Sequence, residues 1–381
     1  MCRHIFIWFS QSAINSVILL LFLCLARWYI PTLGSNKIYY NSDNPFIERC
    51  KTIQCNNQHN KIRVELAEKI LAGANLSRFK YAGSSSSKIR PRLAIAITAA
   101  DRHNGELSQV MAFLSAHMQS LYPVVICNTE PGGERPSAIR RFENHIPVID
   151  LNTDGGKWQL RLKEERWRKE AHDYWLCMNQ TLEIIFGVQK DWPDYLLILE
   201  DDAVPIPLFD VAVNSIMDQL DFRTKTDFVK LYRRWDWRSG PKSMQFYQSL
   251  IVAINLVGLL QMRLWKNRNI FVIATAVTIV QICWQKYFRQ LISDAHFSLT
   301  HRVMLTTIEN CCTPAVLYRT NRLPNMLNDL WKEQGNKSEP KDVIMDRVAE
   351  NYVGRLTDIN LVVHVGYYST VSKKYKRVGN K

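Results

Sequence analysis

The sequence predicts an α/β domain with a mainly parallel sheet, and two observations support this fold class. Between residues 91 and 199, short apolar runs alternate with longer segments of helical character. Such alternation is typical of parallel strands joined by helices. One apolar run, residues 195–199 (YLLIL), leads directly into the carboxylates of Glu200, Asp201 and Asp202. Because ligands bind beyond the carboxyl ends of parallel strands, these three residues are predicted to lie at a binding site.

The predicted elements follow one another in a regular order after Pro91. They are a strand over 92–98, a helix over 106–121, strands over 122–127 and 146–151, a charged helix over about 157–186, and the strand 195–199. The preceding residues, 29–90, are polar and contain a Gly-Ser run at 83–87, which predicts a flexible stem. Within the stem, one amphipathic helix is expected, with Val64, Leu66, Ala67, Ile70 and Leu71 on its apolar face.

Three concentrated apolar stretches predict membrane segments. Ile5–Ile30 is long enough to cross a hydrocarbon core of ~30 Å, which favours an uncleaved anchor at 8–28 behind a cytosolic tail at 1–7. A cleavable signal peptide is the alternative. Phe246–Trp265 and Ile270–Phe288 are separated by four polar residues and predict a transmembrane hairpin over 246–288. Two buried helices of a soluble core are the alternative to that hairpin.

Basic residues predict the orientation of the hairpin. Arg263, Lys266 and Arg268 lie at or beside its turn near 265–269, and short loops rich in Lys and Arg stay cytosolic. The flanks, 91–245 and 289–381, would then form one luminal domain in two parts. Three glycosylation sequons agree, since they all fall in predicted luminal segments: Asn75-Leu-Ser77, Asn179-Gln-Thr181 and Asn336-Lys-Ser338.

Charge and cysteine content narrow the class of protein further. The formal net charge of +14 suits phosphates or anionic membrane surfaces, but no zinc-finger spacing or RNA-binding signature is present, so nucleic acid is not expected as a partner. Six of the nine cysteines fall in predicted luminal segments, which predicts disulfides. The pairing is left open; Cys50 with Cys55 is the most local option.

The acidic residues after 195–199 have a specific chemical meaning. Three adjacent carboxylates repel each other, and without compensation one would be driven to protonate. A divalent cation removes this repulsion, and oxygen ligands suit Mg²⁺ or Mn²⁺. A helix cap or a solvated turn is the alternative, because Asp favours both. The buried strand directly before the acidic residues favours the metal site.

Several motifs carry a resemblance to a known family. Leu197–Ala203 (LILEDDA) resembles the acidic signature of Golgi glycosyltransferases with the GT-A fold. A catalytic domain interrupted by a transmembrane hairpin, behind an N-terminal anchor, resembles the post-GPI-attachment N-acetylgalactosamine transferase family. Residues 360–366 (NLVVHVG) also resemble the N-glycan-branching GlcNAc transferases. The resemblance implies a GT-A-type domain, residence in the Golgi membrane and GPI-anchored proteins as acceptors.

The resemblance also implies a metal site. Asp202 would be the direct ligand of Mn²⁺ or Mg²⁺, and Glu200 would face the ribose or the water shell of the metal. His364 would reach back to the metal or the diphosphate, although a core histidine on the strand LVVHV is the alternative. Glu200 stands where the signature has its first Asp. Asp201, between the two ligands, is included in the nucleotide site.

The loop after the first predicted strand supplies the expected nucleotide contacts. By the same resemblance, Thr98 and Arg102 would contact the uridine and phosphates of UDP-GalNAc, and Asp101 would hydrogen-bond the uracil. An inverting transfer also needs a carboxylate to accept the proton of the acceptor hydroxyl. Asp342 is the first candidate for this base and Asp346 the second. Glu339 is a further candidate, and the sequence does not distinguish them.

The resemblance implies transfer of GalNAc from UDP-GalNAc to the first mannose of glycosylphosphatidylinositol. Two alternatives stay open at this point. One is a GlcNAc transferase acting on N-glycans, and the other is a non-catalytic membrane protein that binds glycolipids or GPI-anchored proteins. No oligomeric state is predicted.

Overall fold

The computed structural model describes residues 53–79, 91–102, 104–120, 122–152, 162–187, 192–233, 289–308, 312–336, 339–366, 368–369 and 374–375. The chain divides into two units, one of residues 1–38 with 234–300 and one of residues 39–233 with 301–381. The described part of the first unit is a single helix, Arg289–Thr300. All other elements below belong to the second unit.

Helices and strands alternate along the described residues as far as residue 200, and less regularly beyond it. The helices are α1 (Ile53–Ala72), α2 (Glu106–His117), α3 (Ser137–Arg140), α4 (Lys163–Gln180), α5 (Phe209–Phe222), α6 (Arg289–Thr300), α7 (Leu323–Asn336) and α8 (Lys341–Ala349). The strands are β1 (Leu93–Ala99), β2 (Val124–Asn128), β3 (Val148–Asp150), β4 (Tyr195–Glu200), β5 (Ala203–Pro205), β6 (Phe228–Lys230), β7 (Leu305–Thr307), β8 (Ala315–Arg319), β9 (Gly354–Thr357), β10 (Val362–His364), β11 (Tyr368–Ser369) and β12 (Lys374–Tyr375).

The main sheet has eight strands in the order β3-β2-β1-β4-β8-β6-β9-β7. β1 to β4 are mutually parallel, and β8 is antiparallel to both β4 and β6. β6 and β9 therefore run in the same direction as β1 to β4, whereas β7 pairs antiparallel with β9. The predicted α/β class and mainly parallel sheet are confirmed. The carboxyl ends of β1 and β4 consequently lie side by side at one edge of the sheet.

The centre of the sheet is buried on both faces. All but one residue of β1, and all but one of β4, are buried, as expected for strands covered by helices on both sides. Ala94 and Ala96 of β1 lie with Leu196 and Ile198 of β4 in one apolar cluster, together with residues of α4, α7 and α8. These three helices thus cover one face of the sheet.

A disulfide lies inside this cluster. Cys127 at the end of β2 and Cys177 in α4 are fully buried and bonded to each other, with their Cα atoms 5.7 Å apart. The pairing that the sequence left open is therefore fixed for these two cysteines. The local pair suggested from the sequence, Cys50 with Cys55, stays a prediction, because Cys50 lies outside the described residues.

The helix predicted in the stem is present as α1, but its buried face differs from the prediction. Arg63, Ala67 and Leu71 are buried, whereas Leu66 is 37% exposed. The reason is that α1 packs on α2 partly through polar groups, with Arg63 Nε donating to Gln109 Oε1 at 2.9 Å. A pattern built on apolar residues alone misses such a contact.

Among the described residues, no helix has the length and apolar character needed to cross a bilayer. The predicted anchor (8–28) and hairpin (246–288) lie outside the described residues, so both stay predictions.

Candidate active site

The acidic residues occupy a tight turn at the carboxyl end of β4. Glu200 is the last residue of β4, and the chain passes through Asp201 and Asp202 into β5. Asp201 and Asp202 are 1% and 0% exposed. The Asp201 N–H donates to the Thr98 carbonyl at 3.1 Å, which joins this turn to the end of β1. The carboxylates are therefore held in place by the central strands of the sheet.

Arg102 compensates two of these carboxylates. Its Nε lies 2.8 Å from Asp201 Oδ1, and its Nη1 bonds Asp202 Oδ2. Asp201 Oδ2 also accepts the backbone N–H of Ala100 at 3.0 Å. Burial raises the pKa of the Asp201 carboxyl, and the positive charge of Arg102 opposes that rise. Asp201 is thus engaged on both oxygens by the loop after β1.

His364 approaches the turn from a strand far along the chain. β10 pairs antiparallel with β5, so that His364 lies opposite Ala203, and the Val365 N–H donates to the Asp202 carbonyl at 2.9 Å. This pairing sets His364 Nε2 at 3.3 Å from Asp202 Oδ2. The ring of Tyr232 packs beside the imidazole, with ring centroids 5.9 Å apart.

Gly366 leaves the space that the Asp202 side chain occupies. A Cβ atom at this position would lie 1.8 Å from Asp202 Oδ2 and 2.8 Å from Arg102 Nη1. Both distances are shorter than any tolerable contact, so a side chain here would displace the carboxylate. The motif NLVVHVG therefore ends in glycine because any larger residue would collide with the Asp202 side chain.

Glu200, Asp202 and His364 together form a group that could hold a metal ion. Each offers one ligand atom, and the three atoms lie within 4.8 Å of one another. Two carboxylates suit Mg²⁺ or Mn²⁺, and the imidazole makes Mn²⁺ the better match. All three residues predicted as metal ligands are brought together, so the residues present fit a divalent cation.

The family follows from comparison with known proteins. A model of the family described as GPI-N-acetylgalactosamine transferase PGAP4 matches residues 93–355. The chain belongs to this family. The match includes Glu200 and Asp202. The family predicted from the sequence is therefore confirmed, and so is the predicted enzyme class, a glycosyltransferase.

One solved structure shows a weak similarity. The mannosyltransferase PcManGT from Pyrobaculum calidifontis, in complex with GDP-Man and Mn²⁺, is 12% identical over 46% of this chain, with a TM-score of 0.26. The chain covers 43% of that protein, less than half of its length. A likeness of this size assigns neither fold nor activity.

The residues predicted to contact the nucleotide lie together at the end of β1 in this transferase. Thr98 Oγ1 donates to the Leu199 carbonyl at 3.3 Å, across the pair of parallel strands. Asp101 is exposed, and its backbone N–H donates to Glu130 Oε1 at 2.6 Å. Arg102, by contrast, turns inward to the carboxylates. The exposed Asp101 side chain and the mostly buried Arg102 side chain thus face different surroundings.

The three candidate bases have different partners in this GPI-GalNAc transferase family member. Asp342, in the first turn of α8, accepts hydrogen bonds on Oδ1 from Thr313 N–H at 3.1 Å and from Thr313 Oγ1 at 2.7 Å. Asp346 lies 2.7 Å from the buried Lys230. Glu339 pairs with Arg347. Asp342 directly follows a residue whose side chain contacts Glu200, and the choice among the three candidates stays a prediction.

That residue, Lys341, was missed by the reading of the sequence. Its side chain is 5% exposed, and its Nζ lies 2.5 Å from Glu200 Oε1 and 3.6 Å from Glu170 Oε1 of α4. A lysine at a helix start is usually solvated, and α4 gives no apolar signal at Glu170. Neither residue could therefore be found from local pattern alone.

Proposed function

We propose that the protein transfers N-acetylgalactosamine from UDP-GalNAc to the first mannose of glycosylphosphatidylinositol, with inversion and with the assistance of a divalent metal. Family membership supports the reaction class. The observation that carries the metal-assisted mechanism is the convergence of Glu200, Asp202 and His364 at the carboxyl end of β4. The donor and the metal are the parts that the experiment below tests.

Each residue of the site has a chemical task in this proposal. Glu200, Asp202 and His364 would hold Mn²⁺ or Mg²⁺, and the bound ion would neutralise charge on the diphosphate leaving group. Arg102 fixes the Asp202 carboxylate in orientation. Asp342, held by Thr313, accepts the proton of the acceptor hydroxyl as the new glycosidic bond forms.

We also propose that the site works in the Golgi lumen close to the membrane, on GPI-anchored proteins. The predicted anchor, the predicted hairpin and the basic hairpin turn support a luminal site close to the membrane, and the family resemblance alone supports residence in the Golgi. Because the acceptor glycan stands close to the bilayer, a hairpin that keeps the catalytic domain at that height would reduce the orientational search for the acceptor.

The test uses the full-length protein purified in detergent, with a panel of UDP-sugars, with Mn²⁺ and with chelator. UDP release is expected to favour UDP-GalNAc, to stop with chelator and to vanish in the Asp202→Ala variant. Asp218→Asn is the matched control, because Asp218 is a surface carboxylate paired with Arg92. Preference for UDP-GlcNAc would favour the branching-transferase alternative. UDP binding without release, also in the presence of a GPI acceptor, would favour a non-catalytic binding protein.

A further inference from the structure

A buried ammonium group lies directly behind the proposed metal ligands. Lys341 Nζ is 2.5 Å from Glu200 Oε1 and 3.6 Å from Glu170 Oε1, and it lies 5.0 Å from the centroid of the Tyr174 ring. The Tyr174 hydroxyl is hydrogen-bonded to that of Tyr318 at 2.9 Å. Lys341 therefore connects the end of β4 to α4 and to the start of its own helix, α8.

The ammonium group of Lys341 is compensated despite its burial. Carboxylate oxygens of Glu200 and Glu170 both lie within ion-pair distance of its Nζ. A buried ammonium that is paired and hydrogen-bonded in this way fixes the geometry of its partners, since neither side can move without leaving a charge uncompensated. The closest partner is Glu200, which is also one of the three proposed metal ligands.

We propose that Lys341 is a positioning residue for the metal site, an inference that rests on the proposed function. A carboxylate has two oxygens, so Lys341 on Glu200 Oε1 is compatible with a metal ion on Oε2. The ammonium fixes the rotation of this carboxylate and offsets its repulsion with Asp202. Groups that orient metal ligands in this way typically change metal affinity by about 10–100-fold when removed.

The first turn of α8 then serves two purposes at once. Lys341 orients a ligand of the metal, and the next residue, Asp342, is the proposed base, itself held by Thr313. Because both side chains leave from one rigid turn, the position of the base relative to the metal is set by the helix. This arrangement gives Lys341 an effect on the chemistry without contact to either substrate.

The experiment measures Mn²⁺ binding to the full-length protein by electron paramagnetic resonance of the free ion, independently of turnover. Lys341→Met is expected to weaken Mn²⁺ binding by about 10–100-fold. Lys341→Arg keeps the charge but not the position of the donor, so an intermediate loss is expected. Lys230→Met is the matched control: Lys230 is also buried and paired, with Asp346 of the same helix, and its loss should lower stability without changing Mn²⁺ affinity.

A double-mutant cycle tests whether Lys341 acts through Glu200. Glu200→Gln alone and Glu200→Gln combined with Lys341→Met should bind Mn²⁺ equally, because the Gln variant already lacks the carboxylate ligand through which Lys341 is proposed to act. Two results would overturn the inference and leave the proposed function intact. One is a folded Lys341→Met or Lys341→Arg protein with wild-type Mn²⁺ affinity. The other is a double variant that binds Mn²⁺ more weakly than Glu200→Gln alone. Absence of Mn²⁺ binding by the wild type would overturn both.

Discussion

At the scale of single residues, the site depends on a position that has no side chain. Gly366 contributes no side chain, yet a Cβ atom there would fall 1.8 Å from Asp202 Oδ2. The carboxylate would have to leave its position between Arg102 and His364. The strand that delivers His364 can therefore close on the turn only because the residue two positions later is glycine.

We expect Gly366→Ala to lower kcat/KM for UDP-GalNAc by about 100-fold, the usual cost of a displacement of about 1 Å in a catalytic group. Steady-state UDP release measures this, with Mn²⁺ titration as a second readout. Gly73→Ala is the control, since a Cβ atom there meets nothing nearer than the Ile70 carbonyl oxygen at 3.9 Å. Equal activity of the two variants would contradict the packing described here.

The choice among the three candidate bases can be made by substitution. Asp342→Asn preserves the shape of the side chain but cannot accept the acceptor's proton, so kcat should fall by about 10²–10⁴-fold with little change in KM for the donor. Asp346→Asn should instead lower thermal stability, because it removes the partner of buried Lys230. A larger loss of kcat in Asp346→Asn, with stability retained, would transfer the role of base to Asp346.

At the scale of the elements, the apolar patterns predicted half of the eight-stranded sheet, β1 to β4, together with the helices α1, α2 and α4. β1 and β4 are almost entirely buried, so their sequences are dominated by apolar residues and are easily recognised. The site was predictable where it depends on that pattern, as for Glu200 directly after β4. The antiparallel order of β8 beside β4 and the pairing of β10 with β5 arise from contacts distant in sequence. No local signal carries them.

The charges of the site show the same limit. A divalent cation was expected to remove the repulsion among Glu200, Asp201 and Asp202. The structure adds two side-chain cations, Arg102 on the aspartates and Lys341 on the glutamate. Both come from other elements, and a buried lysine is indistinguishable by type from a surface one. The sequence therefore predicts where the negative charge lies, but not how it is balanced.

The disulfide between β2 and α4 should contribute strongly to stability. Cys127 and Cys177 enclose a loop with a sequence separation of 50 residues, and a cross-link of that span stabilises a fold by about 3–5 kcal/mol. The double variant Cys127→Ser and Cys177→Ser should lower the free energy of unfolding by this order. Denaturant unfolding of the purified protein measures the change. Strong reductant should destabilise the wild type by more than the variant, which still contains the disulfide of Cys312; an equal response in both would contradict this assignment.

At the scale of the whole molecule, replacing the predicted hairpin would test the catalytic step separately from access to the acceptor. Replacing residues 246–288 by a soluble linker should impair transfer to GPI while slow hydrolysis of the UDP-sugar continues, because the cluster at β4 lies outside the replaced segment. Paired assays of UDP release and GPI glycosylation measure the two activities. Equal loss of both would mean that the segment is needed for folding instead.

The pairing of β10 with β5 has a consequence for biosynthesis. Asp202 leaves the ribosome well before the strand that covers it and carries His364. Until β10 is made, the newly made acidic turn has no imidazole beside it. A polypeptide that terminates before residue 362 would contain the whole acidic signature and still lack the third proposed ligand. The capacity to bind the ion therefore arises only after β10 has been synthesised.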